Sequence, residues 1–330
     1  MKILVTGAVG FIGMHVAQRL LVAGNRVRGL DNINEYYDVR LKHYRLAVLQ
    51  KYENFDFIRL DLKEREAVAN LFNQERYDVV IHLAAQAGVR YSLEAPFEYV
   101  DSNLVGFMAV LEGVRAQGCK HLIYASSSSV YGANSKVPFE EEDRIDEPVS
   151  LYAATKAANE LMAQSYASLY KIPTTGLRFF TVYGPAGRPD MAPWLFTEAI
   201  LSEKPIRVFN NGEMYRDFTY IDDIVDGVEQ VMHQVPSGCS LHRLLNIGRG
   251  RPVPLMDFIG AIESALGKKA TKIFADMQPG DVPRTFASTE KLHALSGYSP
   301  SVKVEEGVKK FATWYTEEWL PYSQRQIARD

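Results

Sequence analysis

The stretch Thr6-Gly7-Ala8-Val9-Gly10-Phe11-Ile12-Gly13 limits what this chain can become more than any other. It stands between a short apolar run, Lys2–Thr6, and residues 11–23, whose apolar positions recur at helical spacing until Gly24. A strand that turns through glycine into a helix brings backbone N–H groups and the positive end of the helix dipole to one point. Small residues in that turn let the backbone approach a pyrophosphate. The next apolar run, residues 26–30, ends at Asp31. Strand, glycine turn, helix and following acid together make the dinucleotide-binding pattern, which a glycine triplet alone does not. Asp31 is placed to accept from ribose hydroxyls, and its charge opposes a 2′-phosphate, so the pattern favours NAD over NADP. Gly7, Gly10, Phe11, Ile12, Gly13, Asp31 and Asn32 are the predicted contacts at this end.

The alternation continues. Residues 55–60 read as a third strand ending at Asp61, residues 63–74 as an amphipathic helix, and residues 78–83 as a strand covered on both faces. Residues 96–117 read as one long helix, residues 121–125 as a strand ending in four serines, and residues 174–180 as a further strand. Residues 32–42 break the rhythm and read as a loop. Strands separated by helices predict an α/β fold, a doubly wound parallel (Rossmann) sheet with right-handed crossovers. A chain of 330 residues has room for a second unit. The turn-rich residues 184–193 mark the boundary, so residues 1–185 are expected to form an NAD-binding domain. Residues 186–330 are then a smaller mixed α/β substrate lobe, with some chain crossing back. Helices are expected there over 194–202, 223–234, 254–266 and 304–320, with short strands near Val208, Phe218, Leu245 and Ile273. On this strand order Leu83, Ala84, Ala85 and Asn103 fall on the nicotinamide side. Asp61 and Leu62 either reach the adenine or form an exposed strand end.

Tyr152-Ala-Ala-Thr-Lys156 opens an alanine-rich run to Tyr170. Residues four apart share a helix face, so Tyr152 and Lys156 point the same way. A phenol with an ordinary pKa of about 10 is a poor base, and a neighbouring ammonium favours its ionised form. The pair suits a proton shuttle between an alcohol and a ketone.

Composition excludes other classes. A net charge of -3 gives no reason to expect nucleic acid as a partner. No run of about 20 apolar residues predicts a membrane span, and the first residues read as a strand rather than a signal peptide. Cys119 and Cys239 form no ligand spacing and fit a reducing compartment, with cytoplasm as the default expectation. The seven histidines are scattered, so no metal is expected, and His82 reads as a satisfied core residue. The acidic run 140–143 reads as a solvated loop, and Trp314, Tyr315 and Trp319 as packing residues.

Taken in order, several motifs resemble the extended short-chain dehydrogenase/reductase family along the whole chain. They are the glycine turn at 6–13, Leu83-Ala-Ala85, Ser126-Ser-Ser-Ser-Val-Tyr-Gly132 and Tyr152-x-x-x-Lys156. Within it the chain is similar to the nucleotide-sugar 4-epimerases, through residues 31–38, 84–90, 150–156, 178–184, 187–191 and 216–222. The resemblance implies 4-epimerisation of UDP-glucuronate to UDP-galacturonate through a 4-keto sugar. In that scheme Tyr152 takes the 4-hydroxyl proton and Ser127 bonds that oxygen. Lys156 lowers the phenol pKa and holds the nicotinamide ribose, and hydride passes to tightly held NAD and back to the other sugar face. Neutral UDP-glucose or UDP-N-acetylglucosamine as substrate, and decarboxylation of UDP-glucuronate, are the competing readings. An oxidoreductase with net NAD turnover and a non-catalytic dinucleotide sensor are more distant.

A 4-keto glucuronate is a β-keto acid that loses carbon dioxide readily, so its carboxylate must be held out of alignment. Ser127, Ser128, Ser129 and Thr181 suggest a cradle of hydroxyls, and which serine relays the proton is left open by the uniform run. Related decarboxylases and dehydratases carry an acid before Val-Tyr-Gly, where this chain has serines. Arg188, Arg216 and Arg284 are the expected UDP phosphate ligands, with Asp281 at the ribose or uridine and Arg90 either on the substrate or at the surface. Gln278 stands where some relatives have an arginine, which leaves that contact to Arg284. The resemblance also implies a homodimer built on the Asn103 and Tyr152 helices, and a galacturonate donor suits surface polysaccharide synthesis.

Overall fold

The central strand, β1 (Lys2–Thr6), has Ile3, Leu4 and Val5 fully buried, because it is covered on both faces. The structure, a computed structural model, describes residues 1–277 and 282–327. From β1 the chain runs through α1 (Phe11–Val22), β2 (Arg26–Asp31), α2 (Val39–Leu49), β3 (Phe55–Arg59), α3 (Arg65–Gln74) and β4 (Val79–His82). Two short helices follow, α4 (Tyr91–Glu94) and α5 (Pro96–Tyr99), then α6 (Gly106–Gln117), β5 (His121–Ser127), α7 (Leu151–Tyr170) and β6 (Thr174–Phe179). The second half contains β7 (Thr181–Tyr183), α8 (Ala192–Leu201), β8 (Ile206–Phe209), β9 (Tyr215–Arg216), β10 (Phe218–Tyr220) and α9 (Ile221–Met232). It continues through β11 (His242–Ile247), β12 (Val253–Pro254), α10 (Leu255–Leu266), β13 (Lys272–Ala275), β14 (Arg284–Thr285), α11 (Glu290–Ser296), α12 (Val304–Trp314) and α13 (Leu320–Ile327).

Seven strands form one parallel sheet in the order β11-β6-β5-β4-β1-β2-β3. This is the doubly wound fold the sequence predicts, with one more strand. β11 returns from the second half to pair with β6, Leu245 opposite Leu177. Alternate residues feed opposite layers: Ile3 and Val5 pack with α1 and α9, Leu4 with α3 and α6. Strand order reverses between β1 and β4, the place where such sheets open a crevice at their carboxyl ends. Small sheets, β8 with β13 and β9 with β12 and β14, stand over it.

Four local expectations change. The loop after β2 ends at Asp38, whose side chain accepts from Arg40 N at 2.9 Å and starts α2. That helix buries Lys42 and Arg45 beside Leu41 and Leu49, so its inner face is partly cationic and hydrophobic spacing alone does not reveal it. The helix expected over 96–117 contains a wider π-type segment, Val100–Val105, which holds Asn103 inward against Gln86. The last predicted helix likewise widens at Tyr315–Trp319 before α13. The short α11 was not expected at all.

The packing expected of Trp314, Tyr315 and Trp319 is found: all three are buried around Trp194, with ring centroids 5.7, 5.0 and 5.4 Å away respectively. His82 is buried too, with Nδ1 2.8 Å from Thr6 Oγ1 and its ring stacked on Phe107.

Candidate active site

A cavity of about 950 Å³ opens at the carboxyl ends of β1, β2, β4, β5 and β6, below the small sheets. Gly7, Gly10, Phe11, Ile12, Gly13, Asp31, Asn32, Asp61, Leu62, Leu83, Ala84 and Ala85 line one arm. Ser127, Ser128, Ser129, Tyr152, Lys156, Thr181, Arg188, Arg90 and Arg216 line the other. The fold therefore joins residues up to about two hundred positions apart, as strand-end sites do.

Tyr152 projects from the first turn of α7, whose cap is Ser150: its hydroxyl accepts from Ala153 N at 3.1 Å. The Ser127 hydroxyl is the polar side chain next to the Tyr152 phenol. Burial raises its pKa, while the Ser127 hydroxyl and the Arg188 guanidinium pull the other way. Lys156, one turn on, donates to Ala125 O at 2.8 Å, and burial draws its pKa down to about 8. The cation opposing the phenol's desolvation in this geometry is thus Arg188 rather than Lys156. Ser127 Oγ also accepts from Ser129 N at 3.1 Å, which fixes the first serine against the phenol and turns the next two into the cavity.

The other arm has the features a dinucleotide requires. Gly7 has φ +68, and a Cβ there would come within 2.7 Å of Ala84 N, so a side chain at this position would push apart β1 and β4. The N-terminus of α1 is capped by Gly10 with no side-chain hydrogen bond, leaving the helix end to the cavity. Asp31 accepts from Val9 N at 3.3 Å and Ile33 N at 2.9 Å, so it shapes the loop as well as facing the ribose position. Burial raises its pKa, and the nearby Lys42 ammonium opposes the rise. Asn32 Nδ2 donates to Asp61 Oδ2 at 3.1 Å, tying the ends of β2 and β3. These features fit NAD.

Two of the described residues that were predicted, Asn103 and Arg284, do not line this cavity. Asn103 is buried behind its wall, bonded to Gln86 N at 2.8 Å and Thr155 Oγ1 at 3.0 Å, and the neighbouring Ser102 lines the cavity instead. The Arg284 guanidinium lies 4.6 Å over the Tyr215 ring, and Val282 and Thr285 beside it face the cavity. Asp281 lies outside the described residues, as does Gln278. Arg216 lines the cavity with Nη1 donating to Tyr215 O at 3.0 Å, and Arg90 lies 5.4 Å over the Phe209 ring.

Sequence reasoning missed several contributors. Lys42 lines the cavity and donates to Asn34 O at 2.7 Å, with its pKa drawn down to about 8 by burial. Arg45 is fully buried and donates to Val9 O at 3.1 Å and Ala186 O at 2.8 Å, bracing the glycine turn against the second half. Tyr36 Oη donates to Asp190 Oδ2 at 3.1 Å, and Asp190 holds Arg188 through both nitrogens of its fork. Tyr36 and Lys42 fall in the stretch read as a loop, where only a charge–aromatic alternation hinted at a wall.

Among the described residues no group of three or more His, Cys, Asp or Glu gathers as a metal site would, and no helix is long and apolar enough to cross a membrane. Residues 3–248 match the model of the NAD dependent epimerase/dehydratase family. The chain is 51% identical over 334 residues to a probable UDP-glucuronate 4-epimerase of Rhizobium meliloti, covering 97% of this chain and 98% of that one. A crystal structure of UDP-glucuronic acid 4-epimerase from Bacillus cereus, in complex with UDP-glucuronic acid and NAD, is 36% identical with a TM-score of 0.89. That match covers 96% of this chain and 99% of the other. A UDP-glucose 4-epimerase from Thermotoga maritima with UDP-glucose is 30% identical with a TM-score of 0.87, covering 97% of this chain and all of the other.

Proposed function

The chain belongs to the NAD dependent epimerase/dehydratase family, and on that premise we propose that it is an isomerase converting UDP-glucuronate to UDP-galacturonate by inversion at C4. The observation that carries this reading is the Tyr152 phenol beside Ser127 and Lys156 in one cavity whose other arm is a glycine-lined helix end. NAD, held by Gly7, Gly10, Phe11, Ile12, Gly13, Asp31 and Asn32, supplies when bound a reversible hydride acceptor, so none is consumed over a cycle. Tyr152 accepts the proton of the sugar 4-hydroxyl at its phenolic oxygen and returns it to the 4-oxygen at the end. Ser127 donates to that 4-oxygen and relays the proton. Lys156, anchored on Ala125 O, holds the nicotinamide ribose in this reading.

The glucuronate assignment rests on what surrounds the sugar end. Ser128, Ser129 and Thr181 present hydroxyls to the cavity, and no acid precedes Val130-Tyr131-Gly132. Arg188 is neutralised by Asp190, so a sugar carboxylate would meet hydroxyl donors and a compensated guanidinium rather than a bare cation. Such donors stabilise the carboxylate and can hold its bond to C5 out of line with the 4-keto π system, which opposes loss of carbon dioxide. The greater identity to the Rhizobium meliloti and Bacillus cereus proteins than to the Thermotoga maritima one points the same way. Arg216 and Arg188 are the phosphate ligands of this reading, with Arg90 and Arg284 at its rim.

Purified protein incubated with UDP-glucuronate and no added NAD other than that retained, then with NAD, tests the reading. UDP-galacturonate is expected with no accumulation of NADH and no release of carbon dioxide. Carbon dioxide would make it a decarboxylase, NADH a dehydrogenase, and reaction only with UDP-glucose a neutral-sugar epimerase.

The enzyme acts in the cytoplasm as a homodimer in this reading. Support for the dimer comes from α6 and α7, which lie side by side and expose Met108, Leu161 and Leu169 at 38%, 70% and 67%. Apolar residues gathered on two adjacent helices are what a four-helix interface buries. Light scattering on the eluted protein is expected to give twice the chain mass of 37.2 kDa, and a monomer mass would overturn the dimer.

A further inference from the structure

Tyr152 and Lys156 are two members of a longer row. Glu160 stands a further turn along α7, on the same face. It is 3% exposed, and so buried that a carboxylate there requires compensation. Its partner is Arg178 on β6, 2% exposed, with Nε 2.9 Å from Oε1 and Nη2 2.8 Å from Oε2. The remaining guanidinium nitrogen donates to Tyr131 Oη at 3.0 Å and Glu141 O at 3.1 Å, and Tyr131 Oη donates to Asn246 Oδ1 at 2.6 Å. Glu160 Oε1 also accepts from Ser126 Oγ at 2.5 Å.

The order of these contacts matters. Three consecutive residues at the end of β5 are each tied to one of the three residues in the row. Ala125 O accepts from Lys156, Ser126 Oγ donates to Glu160, and the Ser127 hydroxyl lies beside the Tyr152 phenol. A slip of the strand end against the helix would break both bonds and part Ser127 from the phenol together. The middle tie is the one that touches neither sugar nor cofactor, and it is anchored on β6 by a two-bonded ion pair.

We infer that Glu160, clamped by Arg178 and Ser126, is a positioning residue for the reaction: it sets the register of Ser127 against Tyr152 and supplies the fixed negative charge behind Lys156. The inference rests on the epimerase reading above. The groups facing Lys156 are Tyr152 and Glu160 on its own helix and His82 on β4, with Arg178 on β6 behind Glu160. His82 stays neutral, its pKa lowered by burial to about 3. Glu160 is the group that raises the lysine's proton affinity against burial, so removing its charge makes Lys156 lose its proton at lower pH. The ammonium form that faces the phenol then persists over a narrower range.

Three variants test this: Glu160→Gln, the doubly neutral Glu160→Gln with Arg178→Gln, and Ser126→Ala. Each is compared with wild type for kcat, KM for UDP-glucuronate, retained NAD, melting temperature and the pH profile of kcat/KM. Ser126→Ala removes one bond and no charge, and the double variant leaves no unpaired buried charge, so both keep the test open if Glu160→Gln fails to fold. Ser126→Ala is expected to lower kcat about threefold to tenfold with KM unchanged. The charge-removing variants are expected to lower kcat at least tenfold and to move the alkaline limb of the profile to lower pH. Loss of melting temperature with wild-type kcat and an unmoved limb in the folded variants would make the pair merely structural and overturn the inference. A wild type inactive on UDP-glucuronate would instead overturn the reading of function.

Discussion

At the scale of the residue, the proposed catalysis turns on how a half-buried phenol is kept reactive. Burial alone would hold Tyr152 neutral, and its pKa is raised. Against this stand a hydroxyl from Ser127 and a guanidinium from Arg188, both of which favour the ionised oxygen. Tyr152→Phe removes only that oxygen, while the ring still packs edge-on against Tyr99 at 6.0 Å. The variant is expected to lose at least three orders of magnitude in kcat, the upper part of the range for general acid–base catalysis at about 10²–10⁴. Its melting temperature and retained NAD should match wild type, and near-normal turnover would remove Tyr152 from the mechanism. Tyr152, Lys156 and the serine run were legible in sequence because spacing along one helix or one strand end fixes their direction. Arg188 was predicted only as a phosphate ligand, since its placement depends on Asp190, two residues on, being held by Tyr36 from a distant segment.

At the scale of the element, the second half is assembled around another buried acid. Asp217, fully buried between β9 and β10, accepts from Thr219 Oγ1 at 3.0 Å, Arg249 N at 2.8 Å, Gly250 N at 2.9 Å and Ala287 N at 3.1 Å. It therefore draws the turn after β11 and the segment after β14 against Arg216, its neighbour in sequence. Asp217→Asn offers one acceptor oxygen in place of two and turns an amide donor toward backbone N–H groups. Unsatisfied buried donors cost about 1–3 kcal/mol each. The variant is expected to be destabilised by roughly 3 kcal/mol in denaturant unfolding, the top of that single-group range. KM for the UDP-sugar should rise more than kcat falls, because the displaced group is Arg216, the proposed phosphate ligand. Equal effects on kcat and KM would place Asp217 nearer the chemistry than this. The Arg216-Asp217 pair was read from sequence for its arginine alone. The aspartate's role needs two backbone segments that lie over thirty residues away along the chain.

At the scale of the whole molecule, four histidines are held in neutral form, three of them buried and His15 half-buried. Burial lowers His15, His121 and His242 to about 4 and His82 to about 3. Their folded pKa values lie below the unfolded value of about 6.5. As pH falls through 6.5 the unfolded chain takes up protons first, so these groups withdraw stability down to about pH 4 and no further below it. Asp31 and Asp217, raised by burial, act in the opposite sense, so a single-site comparison isolates the term. His242 is the site to use, because it lies away from the cavity and its Nε2 has no hydrogen-bond partner. His242→Gln is expected to lose less melting temperature than wild type between pH 6.5 and 4, measured by scanning calorimetry across that range. Parallel curves would show that His242 does not titrate between the folded and unfolded states.

What the amino-acid sequence determined by itself was local. Glycine between strand and helix, an acid at the next strand end, Tyr and Lys four apart, and serines before Val130-Tyr131-Gly132 each specify chemistry through spacing shorter than a helix turn or a strand. Those constraints survive unchanged because backbone geometry enforces them wherever the element lies. Tertiary structure decided which elements share a wall. It moved β11 back beside β6, turned α2 so that Lys42 and Arg45 brace the cofactor arm, and set Glu160 against Arg178 behind the catalytic row. The last two join polar or charged groups carried on different elements. Such groups carry no periodicity of their own, and only the low dielectric of a packed interior makes their pairing obligatory.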